Sequence, residues 1–162
     1  MINVQRLDAT NERDRAVIQE TVTHPAIYRH IVDDSAPKRE QFSYPADNSM
    51  IALAAKDDDE LLGLFGVVPH GEVCEIHVCM LPKAWGARSL EAARHAFAWI
   101  WDNLGVKAII AGIPEYNRLA LRLSKRVGMV NYGVNPRSWR HDGKRYDMIL
   151  LAIGREEAQC LS

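Results

Sequence analysis

A chain of 162 residues, 48% hydrophobic and 25% charged, has the make-up of a folded globular protein rather than a disordered one, and its length suits a single domain. The net charge of −1 excludes a global basic field of the kind that draws nucleic acid or anionic membrane. Any polyanion must therefore be met by a local cluster.

"INVQRL" alternates as a short strand, and "TNERDR" offers Thr10 or Asn11 as the N-cap of a helix running to about His24. Pro25 interrupts that pattern, "AIYRHIVDD" holds a second short helix, and "DDSAPKREQFSYPADN" is rich in turn formers. "SMIALAA" and "LLGLFGVVP" flank the acidic turn "KDDDE" as a hairpin. After "HGE", the stretch "VCEIHVCML" from Val73 to Leu81 reads as the third strand of an antiparallel meander.

The period then changes. From Ser89 to Leu104 the residues Leu90, Ala93, Phe97, Ile100, Trp101 and Leu104 recur at helical spacing, and Gly105 stops the helix. "VKAIIAGI" is a nearly continuous apolar strand, as expected of one covered on both faces. "YNRLALRLSKRVG" is a helix with Tyr116, Ala120, Leu123 and Val127 on one face and Arg118, Arg122 and Lys125 mostly on the other. The tail "MVNYGVNPRSWRHDGKRYDMILLAIG" reads as two strands around a turn at "HDGK". A strand, a helix and a further apolar strand make a βαβ unit, so the order predicts a mixed α/β sheet with helices on both faces.

No apolar run approaches the roughly 20 residues that span a bilayer, and the first residues lack a signal-peptide core, so a cytoplasmic location without membrane contact is expected. Cys74, Cys79 and Cys160 form no CxxC pair and no zinc-ligand spacing with histidine, so no metal is expected. Cys74 and Cys79 fall at opposite parity on one strand and cannot bond to each other. Of that strand, Cys74, Ile76, Val78 and Met80 form an apolar face, while Glu75, His77, Cys79 and Leu81 share the other. Ionisable groups on a core strand are either paired structurally or kept for proton transfer, and burial of Glu75 would raise its pKa toward neutrality. His77, with an ordinary value near 6.5, is the competing base. The loop "LPKAWGARS" leaves this strand and enters a helix N-terminus, where unpaired N–H groups and a positive dipole end suit a pyrophosphate.

"EIHVCMLPKAWGARSLEAARHAF" and "IAGIPEYNRLALRLSKRVGM" together resemble the acyl-coenzyme A binding core of the GNAT acetyltransferase superfamily. Asn117, Ala120, Gly128 and Met129 match the pattern of its second half. "NYGVNPRSWRHDGKRYDMILLAI" looks like the closing strands of the branch that acetylates protein N-termini and small amines, and the general style is similar to phage-encoded acetyltransferase-like proteins. The chain before Glu75 is compatible in layout only.

The resemblance implies the GNAT fold, a mostly antiparallel mixed sheet with a parallel splay between strands 4 and 5. It also implies acetyl-CoA as cosubstrate and direct attack by a primary amine, either a small molecule or a protein N-terminus. It places Leu81, Lys83, Gly86, Ala87, Arg88, Ser89 and Asn117 at the cofactor, with the Cys79 backbone N–H as oxyanion donor. Glu75 falls where several members carry a catalytic glutamate, and Ser124 stands where many carry the tyrosine that protonates the thiolate; Tyr116 and Tyr132 are the alternatives. Arg88 departs from the family pattern, because it stands where a second glycine or alanine is usual. Either its guanidinium serves the phosphates, or coenzyme A binds weakly and the chain is a degenerate member with a structural or interaction role. A third reading, an acceptor in a modified nucleobase or nucleic acid, rests on Arg137, Arg140, Lys144 and Arg145. A monomer or homodimer fits all three. The segment His24 to Asn48 and the last hairpin are expected to wall the acceptor site.

Overall fold

The computed structural model describes residues 1–159, so Cys160 lies outside the described residues. Its strands are β1 (Ile2–Leu7), β2 (Ile51–Asp57), β3 (Glu60–His70), β4 (Val73–Met80), β5 (Ala108–Pro114), β6 (Val130–His141) and β7 (Lys144–Gly154). All seven join one sheet in the order β1-β2-β3-β4-β5-β7-β6. Every neighbouring pair is antiparallel except β4 and β5. This is the predicted mixed architecture.

Strands β2 and β3 are covered on both faces, and successive residues feed opposite sides. Leu53 and Ala55 enter a cluster with Phe65, Ile76, Ala93 and Ile100 beneath helix α3 (Ala87–Leu104). Ala52 and Ala54 enter a second cluster with Ile18, Ile27, Leu64 and Cys79 beneath α1 (Glu12–Val22) and α2 (Pro25–Ile31). Cys74 lies in the first cluster and Cys79 in the second, as their parity requires.

Asn11 caps α1, its side chain accepting from the N–H groups of Arg13 and Asp14 at 2.9 and 3.2 Å. The helix ends at Val22, short of the expected His24, because Pro25 forces the residue before it out of helical geometry. His24 instead opens α2, its Nδ1 accepting from the Ala26 N–H, with Pro25 at the first helical position. A final helix, α5 (Arg155–Gln159), follows β7.

β5 differs from its expected burial. Ile109 and Ala111 are buried, but Ile110 is only partly so, because one side of the strand opens on a cleft. β6 is exposed along most of its length at the edge of the sheet. The β6–β7 turn places Asp142 and Gly143 both at positive φ, 50° and 73°, as the tight hairpin turn predicted at this Asp-Gly pair requires.

Candidate active site

The cleft exists because β4 and β5 part. They pair at three positions, Val73 with Ala108, Cys74 with Ile109 and Glu75 with Ile110. Beyond Glu75, β4 continues against β3 to Met80 and β5 continues against β7 to Pro114. Two cavities of about 390 Å³ each lie along the opening, and His30, Ile31, Val78, Asn117, Ala120 and Leu123 line both. They form one trough. Its mouth is at Gly86 and Ser89, and its other end holds Glu75, His77 and Ser124.

Glu75 and His77 do meet at the cleft, but Glu75 is not buried. Its side chain is 35% exposed and that of His77 47% exposed. The side chain keeps its contact with solvent because the sheet has already opened beside it. Its Oε1 lies 3.6 Å from His77 Nε2 and its Oε2 lies 3.8 Å from His70 Nε2, so the carboxylate sits between two imidazoles. His70 has no sequence signal of its own; only the Val68 to Glu75 register brings it there.

The strand's edges decide which backbone N–H groups reach the cleft. Leu81 N–H donates to Leu62 O at 2.9 Å, toward β3, while Glu72 O accepts from Lys107 N at 2.7 Å, toward β5. Successive peptide groups on a strand point to opposite edges. The Cys79 N–H therefore faces β3 with that of Leu81, and neither reaches the cleft. The N–H groups of Val78 and Met80 face the open edge, and Val78 lines both cavities. Cys79 is buried, and desolvation pushes its thiol up to about 12; that of Cys74 is pushed up to about 11.

At the mouth, Gly86 caps α3 at φ 101° and ψ −127°, a geometry only glycine adopts easily, and a Cβ added there would meet nothing within 4 Å. Among the described residues no side chain caps α3, so the N–H groups of Ala87, Arg88 and Ser89 in its first turn point outward unclaimed by any cap. The Ser89 hydroxyl is already used, donating to Ala84 O at 2.7 Å. Lys83 and Arg88 are occupied elsewhere. Lys83 Nζ lies 3.2 Å from Glu60, and the Arg88 guanidinium binds both Glu60 and, at 3.2 Å, Asp57. The acidic β2–β3 turn has captured the two cations that the sequence assigns to phosphate.

Helix α4 (Arg118–Arg126) forms the far wall. Asn117 caps it, its Oδ1 accepting from Ala120 N–H at 3.2 Å, which leaves the amide nitrogen for a ligand. Ser124 is buried and lines the cleft, and its hydroxyl makes no hydrogen bond among the described residues. Tyr132 lines the same cavity, while the Tyr116 hydroxyl accepts from Trp139 Nε1 at 3.2 Å and its pKa is raised by burial.

The expected walls also meet. Asp34 accepts from the N–H groups of Asp142 and Gly143 at 2.8 and 2.9 Å, and Arg140 Nε lies 3.4 Å from its carboxylate. Arg145 donates to Arg137 O. Two cations of the predicted basic cluster thus serve the hairpin's own structure. Asp34, His141 and Asp142 bring three possible metal-ligand atoms within 4.8 Å, but both Asp34 oxygens already accept backbone N–H groups. His30 was not singled out by sequence. It lines both cavities, its Nδ1 is buried without a partner among the described residues, and burial lowers its pKa below 6.5.

A mixed sheet split at its parallel pair, with an uncapped helix N-terminus at the mouth and an asparagine-capped helix opposite, is the architecture of GNAT-type acetyltransferases. Residues 6–130 match the acetyltransferase (GNAT) domain, and the chain belongs to that family. A 57-residue stretch is 39% identical to YwnH of Bacillus subtilis (strain 168), a candidate phosphinothricin acetyltransferase; the match spans 35% of this chain and 34% of that protein. The fold is similar to that of spermidine N-acetyltransferase from Vibrio cholerae in complex with CoA and spermine, with TM-score 0.80, 14% identity and 98% of each chain covered. It is also similar to Mycobacterium smegmatis RimJ in complex with CoA-disulfide, with TM-score 0.76, 16% identity, and 96% and 83% of the two chains covered. No helix among the described residues is long and apolar enough to cross a membrane.

Proposed function

We propose that this acetyltransferase uses acetyl-CoA to acetylate a primary amine by direct attack within a ternary complex. The observation that carries the reading is the pair of adjoining cavities, which share six wall residues and together reach from the α3 N-terminus to Glu75 and His77. The pyrophosphate meets the first-turn N–H groups of α3, the pantetheine arm lies between β4 and β5 beside Asn117, and the thioester reaches Val78. The N–H of Val78 polarises the thioester carbonyl. Glu75, with His77 beside it, takes the proton from the amine, and the Ser124 hydroxyl donates to the departing thiolate.

Direct attack is favoured because neither Cys74 nor Cys79 supplies a thiolate at neutral pH, both thiols being held protonated by burial. Glu75 is the sole carboxylate lining its cavity among the described residues, and the remaining wall is largely apolar, including Phe97, Ile113, Met129 and Leu150. The acceptor is accordingly a monoamine with an apolar body rather than a polyamine. CoA release measured with a thiol reagent across a panel of amines tests this. Turnover confined to polyamines overturns the acceptor class, and acetylated enzyme found by mass spectrometry in the absence of amine overturns direct attack.

A second reading, a family member that keeps the fold and binds coenzyme A poorly, draws on the capture of Lys83 and Arg88 by Asp57 and Glu60. Calorimetric titration with CoA separates the two. Absence of binding at millimolar ligand removes the enzyme reading.

A further inference from the structure

Helix α2 carries a histidine into the cleft. Ile27 and Ile31, four residues apart, anchor the helix in the second apolar cluster, and His30 follows on the same flank. From there it lines both cavities, as Val78 does from β4, the strand against which α2 packs. The two residues thus stand where the cavities adjoin, one on the helix and one on the strand. The Tyr116 ring lies beside the imidazole, with centroids 6.4 Å apart.

The two ring nitrogens of His30 have different surroundings. Nδ1 is sealed from solvent without a partner, whereas Nε2 is not sealed and makes no hydrogen bond among the described residues. A neutral imidazole carries one N–H and one lone pair, and an N–H orphaned in the interior is rarer than an orphaned acceptor. The proton therefore belongs on Nε2, on the side open to the cavities. A second proton would have to enter at the sealed Nδ1, and burial, followed by the charges of Arg29 and His141, opposes it. A ring held in this state donates and does not accept, because its lone pair is on the closed side.

We infer that the His30 Nε2–H is a second oxyanion donor, acting with the Val78 N–H, and that His30 is a catalytic residue of the transfer step. This rests on the acetyl-CoA reading of the cleft. When the amine nitrogen bonds to the thioester carbon, the π pair moves onto oxygen, and one backbone N–H leaves lone pairs of that oxygen without a donor. The imidazole N–H supplies one. When the C–S bond breaks, the pair returns to the carbonyl, the thiolate takes a proton from elsewhere and His30 keeps its own. A neutral, fixed donor suits this role because no proton is handed over and no reorganisation is needed.

Infrared difference spectra of acetyl-CoA isotope-labelled at the thioester carbonyl test it on the full chain, alongside calorimetry. Wild type is expected to move the carbonyl stretch of the bound ligand to lower frequency than that of the free ligand. His30→Leu, which keeps the bulk and removes both nitrogens, is expected to lose part of that shift with little change in acetyl-CoA affinity. His30→Gln, which restores a neutral N–H but no base, is expected to recover it. With the fastest amine of the acceptor panel, His30→Leu should lower kcat by about 10²–10³-fold, the range for one oxyanion donor, with KM for acetyl-CoA unchanged. His30→Gln should regain at least about tenfold of the lost rate. Removal of an unpartnered polar group is not destabilising, so the urea midpoint of His30→Leu is expected not to fall. A carbonyl shift in His30→Leu equal to that of wild type overturns the inference while the enzyme reading stands. His30→Gln as slow as His30→Leu also overturns it, since the ring would then be a base or a packing group. If wild type binds no acetyl-CoA, both fall.

Discussion

The half of the sheet made by β1 to β4 and the half made by β5, β7 and β6 are built to different ends. In the first, β2 and β3 bury residues on both faces, and Leu53, Leu62 and Phe65 are fully excluded from solvent. In the second, β6 leaves Val130, Tyr132 and Val134 exposed, and β7 buries little beyond Leu151 and Ile153. The two halves share three residue pairs at the β4–β5 seam. A rigid half and an open half joined at one short parallel ladder leave room for a ligand arm where a continuous sheet would have none. Stability should thus concentrate on one side of the seam and chemistry at it.

The largest effect expected is on the rigid side. Phe65→Ala removes a side chain with no solvent exposure and should cost about 3–5 kcal/mol in denaturant unfolding, whereas Tyr132→Ala on β6 should stay within about 0.5 kcal/mol. Equal losses would show that the contrast between the halves is not energetic. At the seam, Glu75→Gln should lower kcat by about 10²–10⁴-fold with the melting temperature unchanged, the range for a positioned proton acceptor. His77→Gln tells which partner takes the proton, and if neither variant slows turnover both residues are structural. Smaller again is the clip that closes the open half over the cleft. Asp34→Ala frees the N–H groups of Asp142 and Gly143 and should cost about 1.5–3 kcal/mol, the worth of hydrogen bonds to a charged group, with KM for the amine rising more than KM for acetyl-CoA. Equal rises in both would mean that the hairpin does not wall the acceptor side.

Much of this contrast is legible in the sequence because periodicity reports burial. The alternation of "VCEIHVCML" separates Cys74 from Cys79 correctly, and the Asn117 start and the Gly105 and Gly128 stops mark their helices. What the alternation cannot report is where a strand loses its neighbour. Glu75 reads as buried because the strand is central, yet the seam opens beside it. Backbone direction is equally silent in side-chain patterns, which is why the Cys79 N–H has the parity of the wrong edge. Lys83 and Arg88 read as phosphate ligands because their partners Asp57 and Glu60 arrive by tertiary pairing.

The smallest effect is a pH dependence that distinguishes the cleft from the tie beneath it. Burial lowers the His30 pKa from 6.5, so the folded state holds the imidazole neutral where the unfolded chain would protonate it. Its contribution to stability is present above pH 6.5 and is lost as pH falls through the lower folded value. Glu60 is shifted the same way, chiefly by its hydrogen bond to Arg88 and then by that to Lys83. Its contribution is present above the ordinary value of 4.5 and lost only further toward acid. Thermal unfolding followed from pH 8 to pH 3 should therefore fall in two stages. His30→Gln should flatten the first and leave the second, whereas Arg88→Ala should leave the first and only shrink the second, because Asp8, Asp33, Asp47 and Asp57 are lowered by partners of their own. A first stage that survives His30→Gln would mean that the orphaned Nδ1 is not what couples the cleft to protons, and the residue would then be a wall of both cavities with no titrating role.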